Sequence, residues 1–366
     1  MSSTLSVDYL VEYQAFVDFY PIHRTCLAPL CTTWFGPQRA RVTPALINRF
    51  DWIVGHQGMG NDGLAIPRKR RGPDPDTVFA SPDKVQKVLE HAKRSFDASR
   101  SNRTLVLSGG PELTASEALC GTAGQSGNSS ACEDTMGKLR TYFRAVFFEG
   151  KDLEMEGLFA YPGGLTEMYF RGGVMEFAVA AIAAASTSAA SKPRSVLAAW
   201  GSVWSYVEHI EEGKLLLYST RFRAWDVMKL EAGKNRRSAR AWSSTSAAHQ
   251  AGVEVRSIPA QSWWGELAQY RFLLSPLGTS IYSPKTVEAL MVLTIPIVTR
   301  GPFMVHDDMV KYGFPIIVLD EWDEITDTKL NQWWNELSTR LVSFRRNCLT
   351  AEAYWQLMIS TDHRCQ

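Results

Sequence analysis

The sequence predicts an α/β protein of two domains, each built on a parallel, doubly wound sheet. Three observations carry that prediction. At 366 residues the chain exceeds the size at which a single hydrophobic core keeps growing. In the second half, short apolar runs alternate with amphipathic stretches of helical period across short connections. A similar strand, helix, strand order stands near the N-terminus and ends at glycine-rich turns.

In the N-terminal half, residues 51–55 (DWIVG) and 104–108 (TLVLS) read as buried strands, with the helical segment PDKVQKVLEHAKRSF between them. Asp62 to Asp76 is a charged loop rich in proline and glycine, and GTAGQSGNSSACED from Gly121 reads as a flexible connection. Around Leu158, LFAYPGGLTEMYFRGG combines an aromatic strand with a Pro-Gly-Gly turn, and an Ala-rich helix follows to about Ala190. The break SKPRS then precedes VLAAWG, the first strand of a new domain, so the expected domains are residues 1–190 and 191–366.

Beyond that break the order is strand Val253 to Ile258, helix Ala260 to Tyr270, strand Arg271 to Leu274, loop, helix Pro284 to Leu293, and strands Pro296 to Thr299 and Pro315 to Leu319. The amphipathic helix TKLNQWWNELSTRLVSF closes the series.

A balance of 39 basic against 38 acidic residues gives a net charge of +1, so nothing global points to nucleic acid or a membrane surface, and an anion site must be local. Six cysteines are too sparse for a disulfide scaffold, although Cys26 and Cys31 have the spacing of a small loop bridge; no zinc-ligand spacing is present. The N-terminus lacks the basic and apolar regions of a cleavable signal, and the most apolar run, Phe177 to Ala190, is too short and Ala/Ser-rich to span a bilayer. A soluble chain with no membrane segment is expected. Asn102 and Asn128 head glycosylation triplets that would matter only in a secretory compartment.

The most informative stretch is RFLLSPLGTSIYSPKTVEALMVLTIPIV, Arg271 to Val298. Its loop, Pro276 to Ser280, falls at the carboxyl end of a parallel strand, where ligands of open α/β sheets bind. Ser283 is a good N-cap and Pro284 an ideal first helical residue, so the helix start presents free N–H groups that favour phosphate. Lys285 in the first turn opposes the helix dipole, which makes sense beside an anionic ligand. Glu288, one turn on, suits a ribose diol. An ordinary helix with a solvated lysine and glutamate explains the same residues equally well.

These residues resemble the signature region of exostosin-like glycosyltransferases: a strand, a Pro-x-Gly loop, Ser-Pro-Arg-x-Val-Glu-Ala, and Ile-Pro-Val after a small-residue turn. Pro276, Gly278, Ser283, Pro284, Val287, Glu288, Ala289, Ile295 and Pro296 keep the pattern. Lys285 replaces the usual arginine and loses its bidentate fork, and Leu277 replaces a commonly polar residue. The likeness extends from Ile258 to Leu341. It implies a GT-B-like architecture of two Rossmann-like domains whose parallel sheets face a cleft, with the acceptor on the N-terminal domain and a nucleotide-sugar on the C-terminal one. It further implies that Glu288 meets the ribose, while Pro276, Gly278, Thr279, Ser280, Ser283 and Lys285 meet the diphosphate.

The implied reaction moves a sugar from a nucleoside-diphosphate-sugar, a UDP-sugar foremost, to a glycan or glycoconjugate, with inversion and with neither metal nor cofactor. Fixed donors would stabilise the leaving diphosphate and a general base would deprotonate the acceptor hydroxyl. His56, Asp62 and Glu167, all beside glycine-rich turns, are the candidates for that base; Arg300, after IPIVT, is a further candidate for donor binding or a surface ion-pair partner. The resemblance also implies the Golgi lumen, although no anchor is visible.

Two other functional classes remain open on sequence. GMGNDG, Gly58 to Gly63, matches G-x-G-x-x-G and would invoke an NAD(P)-dependent oxidoreductase, but Pro67 and the basic run Arg68 to Arg71 follow where a helix is required. A non-catalytic carbohydrate-binding protein on a degenerate transferase fold is the other. Asp74 to Asp76 formally matches an Asp-x-Asp metal motif, without an apolar strand before it. Trp263-Trp264 and Trp333-Trp334 read as packing residues rather than a sugar platform.

Overall fold

The computed structural model describes residues 22–23, 46, 49–54, 64–65, 74–108, 113–120, 129–166, 174–185, 192–199, 234–277, 284–301 and 303–365. The protein is α/β with two separate sheets, each containing five parallel strands, consistent with two Rossmann-like domains of GT-B-like kind. It divides into two compact units, 1–167 with 350–364, and 168–349 with 365–366.

The first unit contains β1 (Ile22–His23), β2 (Trp52–Val54), β3 (Leu64–Ala65), β4 (Thr77–Ala80), β5 (Arg103–Leu107), β6 (Phe143–Phe148), β7 (Leu158–Ala160) and β8 (Leu165–Thr166). Its main sheet has the order β3-β2-β4-β5-β6-β7, parallel except for the two-residue edge strand β3, while β1 pairs parallel with β8. Helices α1 (Val85–Ser95), α2 (Ala115–Cys120) and α3 (Ser129–Arg140) lie on one face. There Trp52, Val54, Val78, Leu105 and Phe148 share a core with Val88, Leu119 and Leu139.

Because side chains alternate across a strand, Ile53, Phe79, Val106 and Phe147 point the other way, and they are buried too. The C-terminal helix, Ala351–Ile359, returns to cover them: Phe50 packs edge-on against both Phe79 and Trp355, at 5.1 and 5.2 Å, and His363 meets Phe147 at 5.1 Å. Burial on both faces explains the unbroken apolar runs of these strands.

Arg103 is fully buried at the amino end of β5. Its guanidinium pairs with Asp74, donates to the carbonyls of Arg100, Tyr142 and Asp97, and sits 4.8 Å over the Phe96 ring. Arg100 binds Asp74 at 2.7 Å and also pairs with Asp76. The Asp-x-Asp triplet is thus engaged by arginines and serves as a brace under the sheet.

The stretch from Gly121 expected to be a flexible connection is helical from Ser129 onward, as the first turns of α3. Cys120 and Cys132 join α2 to α3 by a disulfide, and in the second unit Cys348 bonds Cys365. All four described cysteines are therefore paired, two local staples where the cysteine count gave no scaffold. Cys26 and Cys31 lie outside the described residues.

The second unit begins with α4 (Val174–Ala185), which packs on a later helix of the same unit, so the compact division falls before this helix rather than after it at residue 190. Strands β9 (Arg194–Ala198), β10 (Val253–Val255), β11 (Tyr270–Leu274), β12 (Ile295–Thr299) and β13 (Ile317–Leu319) form an all-parallel sheet in the order β10-β9-β11-β12-β13. Its helices are α5 (234–243), α6 (Ser246–Gln250), α7 (Ala260–Leu267), α8 (Pro284–Met291), α9 (Val305–Lys311) and α10 (Asp327–Cys348).

Residues Thr286 to Met291 of α8 are all buried, which makes it the central helix of the unit. At the amino edge of the sheet, buried Lys192 donates to the carbonyls of Ala268 and Val292, just past the ends of α7 and α8, and to Thr294 Oγ1. An ammonium is well placed at two helix C-termini, though burial pushes its pKa down to about 7. Among the described residues, no helix is long and apolar enough to cross a membrane.

Candidate functional site

The strand order of the second unit reverses once. From β9 the chain moves to β10 on one side, then crosses back to β11 on the other and continues outward. In sheets of this order, ligands bind beyond the carboxyl ends of the strands that flank the reversal, here β9 and β11. Ala198 and Leu274, paired in register, end those two strands.

Lys285, in the first turn of α8, spans this point. Its ammonium donates to the carbonyl of Ala199, just past β9, at 2.9 Å, and lies 4.7 Å above the ring of Trp263 in the first half of α7. Glu288, one turn along α8, is 3 % exposed. Its Oε2 accepts a 2.7 Å hydrogen bond from the indole N–H of Trp263, and no described residue donates to Oε1.

Burial raises the pKa of Glu288, against the opposing pull of the Trp263 hydrogen bond and the Lys285 charge. The Lys285 ammonium is pushed down, first by burial and then by the like charge of Arg236, while Glu288 holds it up. A carboxylate with one oxygen fixed and the other without a donor among the described residues is an acceptor for hydroxyls, and the adjacent cations suit an anion.

The floor of the site is built by α5. Asn235 Oδ1 accepts from the Leu277 N–H at 2.9 Å, its amide nitrogen donates to Thr299 Oγ1, and Arg236 Nε donates to the Leu277 carbonyl at 3.0 Å. Two consecutive side chains thereby grip both backbone groups of Leu277. Beneath, Ser275 and Thr286 hydroxyls meet at 3.1 Å, joining the end of β11 to α8.

Of the residues predicted from sequence, Pro276, Lys285 and Glu288 lie together at this edge. Arg300, just past β12, is held by Asp307 at 3.0 Å and by Asp320, so its charge is met by carboxylates. Gly278, Thr279, Ser280 and Ser283, and the base candidates His56, Asp62 and Glu167, lie outside the described residues, as does Gly58 to Gly63.

Trp263 was expected to be a packing residue, and the structure corrects that: its N–H and ring both serve the polar cluster, whereas Trp264 is a core residue. The helical face of Trp263 carries no mark of that role in sequence. Asn235 and Arg236 carry no signal in sequence because the groups they hold, at Leu277 and Thr299, stand 41 to 64 positions later in the chain. The chain matches no protein-family model and no curated protein.

Proposed function

We propose that this protein is a glycosyltransferase whose second unit binds a nucleoside-diphosphate-sugar, a UDP-sugar foremost, for transfer to a glycan or glycoconjugate. The observation that carries this reading is Glu288: a buried carboxylate beside the reversal of the sheet, with Trp263 holding one oxygen and the other oriented without a described donor. A ribose diol offers the two hydroxyl donors that such a group accepts.

In this reading the acceptor oxygen attacks the anomeric carbon as the bond to the diphosphate breaks, and the acceptor proton passes to a general base. Lys285 and the start of α8 meet the charge that develops on the departing diphosphate. The transfer is metal-independent and inverting, and the acceptor belongs to the first unit. The two disulfides fit an oxidising compartment such as the Golgi lumen.

Titration calorimetry with UDP, GDP and NAD tests the reading. We expect one nucleoside diphosphate to bind at micromolar strength without added metal, and Glu288→Ala to weaken it more than tenfold. Tight binding of NAD with no response to either diphosphate would move the oxidoreductase reading ahead.

A further inference from the structure

We propose that Asn102 carries an N-linked glycan, attached while the chain is still unfolded. The proposal rests on the disulfides and on strand β5, and is independent of the donor site. Asn102, Arg103 and Thr104 form the Asn-x-Thr triplet that such attachment requires, with no proline between. The two disulfides, which pair all four described cysteines, belong to the oxidising compartments where that modification is made.

The triplet stands at the amino end of β5, after a turn in which the Arg100 N–H donates to the Asp97 carbonyl at 3.1 Å and Asp97 Oδ1 accepts from the Ser99 N–H at 2.9 Å. Asn102 itself is exposed, as are Asp97, Ala98, Ser99 and Ser101 before it. Among the described residues nothing bonds the Asn102 side chain. A glycan there displaces no contact of the fold, and its neighbours are small and hydrated. It also leaves from the amino edge of the sheet, away from the carboxyl edge where ligands of open α/β sheets bind.

Thr104 dates the attachment. Its hydroxyl is the group that a transferase must read along with the asparagine, yet in the folded protein Thr104 is 3 % exposed. Its N–H donates to the Asp76 carbonyl at 3.0 Å, and its Oγ1 donates to the Met358 carbonyl at 3.5 Å. Arg103, between the two, is locked onto Asp74. Met358 lies in the C-terminal helix, 254 positions after Thr104, so it is synthesised long after the triplet. The triplet is therefore readable only before that helix docks, which makes the extended nascent chain the substrate. In the transfer, the Asn102 side-chain nitrogen bonds to the anomeric carbon of a lipid-pyrophosphate-linked oligosaccharide. The bond from that carbon to the pyrophosphate oxygen breaks, the lipid pyrophosphate leaves with the electron pair, and the amide gives up one of its two protons to the transferase.

Mass spectrometry of the full chain purified from its own cells tests the proposal. Peptide N-glycosidase in heavy-oxygen water should convert Asn102 to aspartate carrying the heavy label, and untreated digests should lack the peptide with unmodified Asn102. On gels, Asn102→Gln should run ahead of wild type by one glycan, whereas Thr104→Ser, which keeps the triplet, should run with it. Unmodified Asn102 in protein whose four described cysteines are bonded overturns the proposal. Finding those cysteines reduced overturns it too, because the compartment it needs is then excluded.

The order of events has its own test, in which chain made in bacteria is incubated with oligosaccharyltransferase and its lipid-linked donor. The reduced, unfolded chain should accept a glycan at Asn102, and the folded, disulfide-bonded chain should not. Equal transfer to both, or none to the unfolded chain, overturns attachment before folding. None of these results bears on nucleotide binding, so the donor-site reading stands or falls separately.

Discussion

The two sheets share an architecture and differ in one topological respect. In the first unit the parallel strands β2, β4, β5, β6 and β7 follow chain order, and the strand on the far side of β2 is the two-residue antiparallel β3, where the second unit has the parallel β10. The polar groups beyond its strands pair with one another: Ser81 with Asp83 after β4, and Ser108 with Glu149 after β5 and β6. In the second unit the order reverses between β9 and β11, and there a carboxylate, two cations and an indole converge. Beyond the first sheet the polar side chains pair within their own loops, and beyond the second they converge on one buried carboxylate.

The sharpest way to break this comparison is at the brace of the first sheet. Arg103→Met leaves Asp74 partly buried without its main partner, and breaking such a pair costs roughly 3 to 5 kcal/mol. Urea unfolding should show that loss, while nucleotide affinity, which the proposed function assigns to the other sheet, stays within twofold. A large affinity loss in a folded variant would refute the separation of roles.

Acid provides the next test. Among the described residues neither nitrogen of buried His306 in α9 has a hydrogen-bond partner, and burial pushes its pKa down to about 4. The unfolded chain therefore takes up the proton first. The stability held above pH 6.5 is lost as pH falls toward 4, by a total of about 3 kcal/mol. His306→Leu should flatten the pH dependence of unfolding over that window; an unchanged slope would assign the acid sensitivity elsewhere.

The smallest effect sharpens the site itself. Trp263→Phe keeps a ring beneath Lys285 and deletes only the N–H that holds Glu288. UDP affinity should fall about tenfold, or 1.4 kcal/mol. Because that hydrogen bond holds the Glu288 pKa down, its loss should move the acid limit of binding to higher pH. An unshifted limit would mean that Trp263 does not position the carboxylate.

Much of the fold was legible because its signals are local. Ser-Pro before α8, the apolar runs FLL in β11 and IPIV in β12, and glycine-rich turns after strands each reflect chemistry within a few residues. Boundaries moved where tertiary structure intervened. The strand after α7 begins at Tyr270, whose ring is buried, and α8 stops at Met291 because Leu293 turns left-handed, with the Thr294 N–H closing on the Ala289 carbonyl.

The return of the C-terminal helix to the first unit was not legible. Nothing local in AEAYWQLMI says which sheet face it will cover; that is decided by the bare apolar face of β2, β4, β5 and β6. The site divides in the same way. Lys285 and Glu288 share one helix and one motif, whereas Arg236, Trp263 and the Ala199 carbonyl join them only when β9, β10 and β11 assemble.

The central claim is that Glu288 accepts the ribose hydroxyls of a nucleotide. The most direct measurement is a double-mutant cycle: UDP and 2′-deoxy-UDP titrated into wild type and Glu288→Gln. Wild type should bind the deoxy ligand at least tenfold more weakly, and Glu288→Gln should bind the two within twofold. Equal binding of both ligands by wild type would contradict the claim.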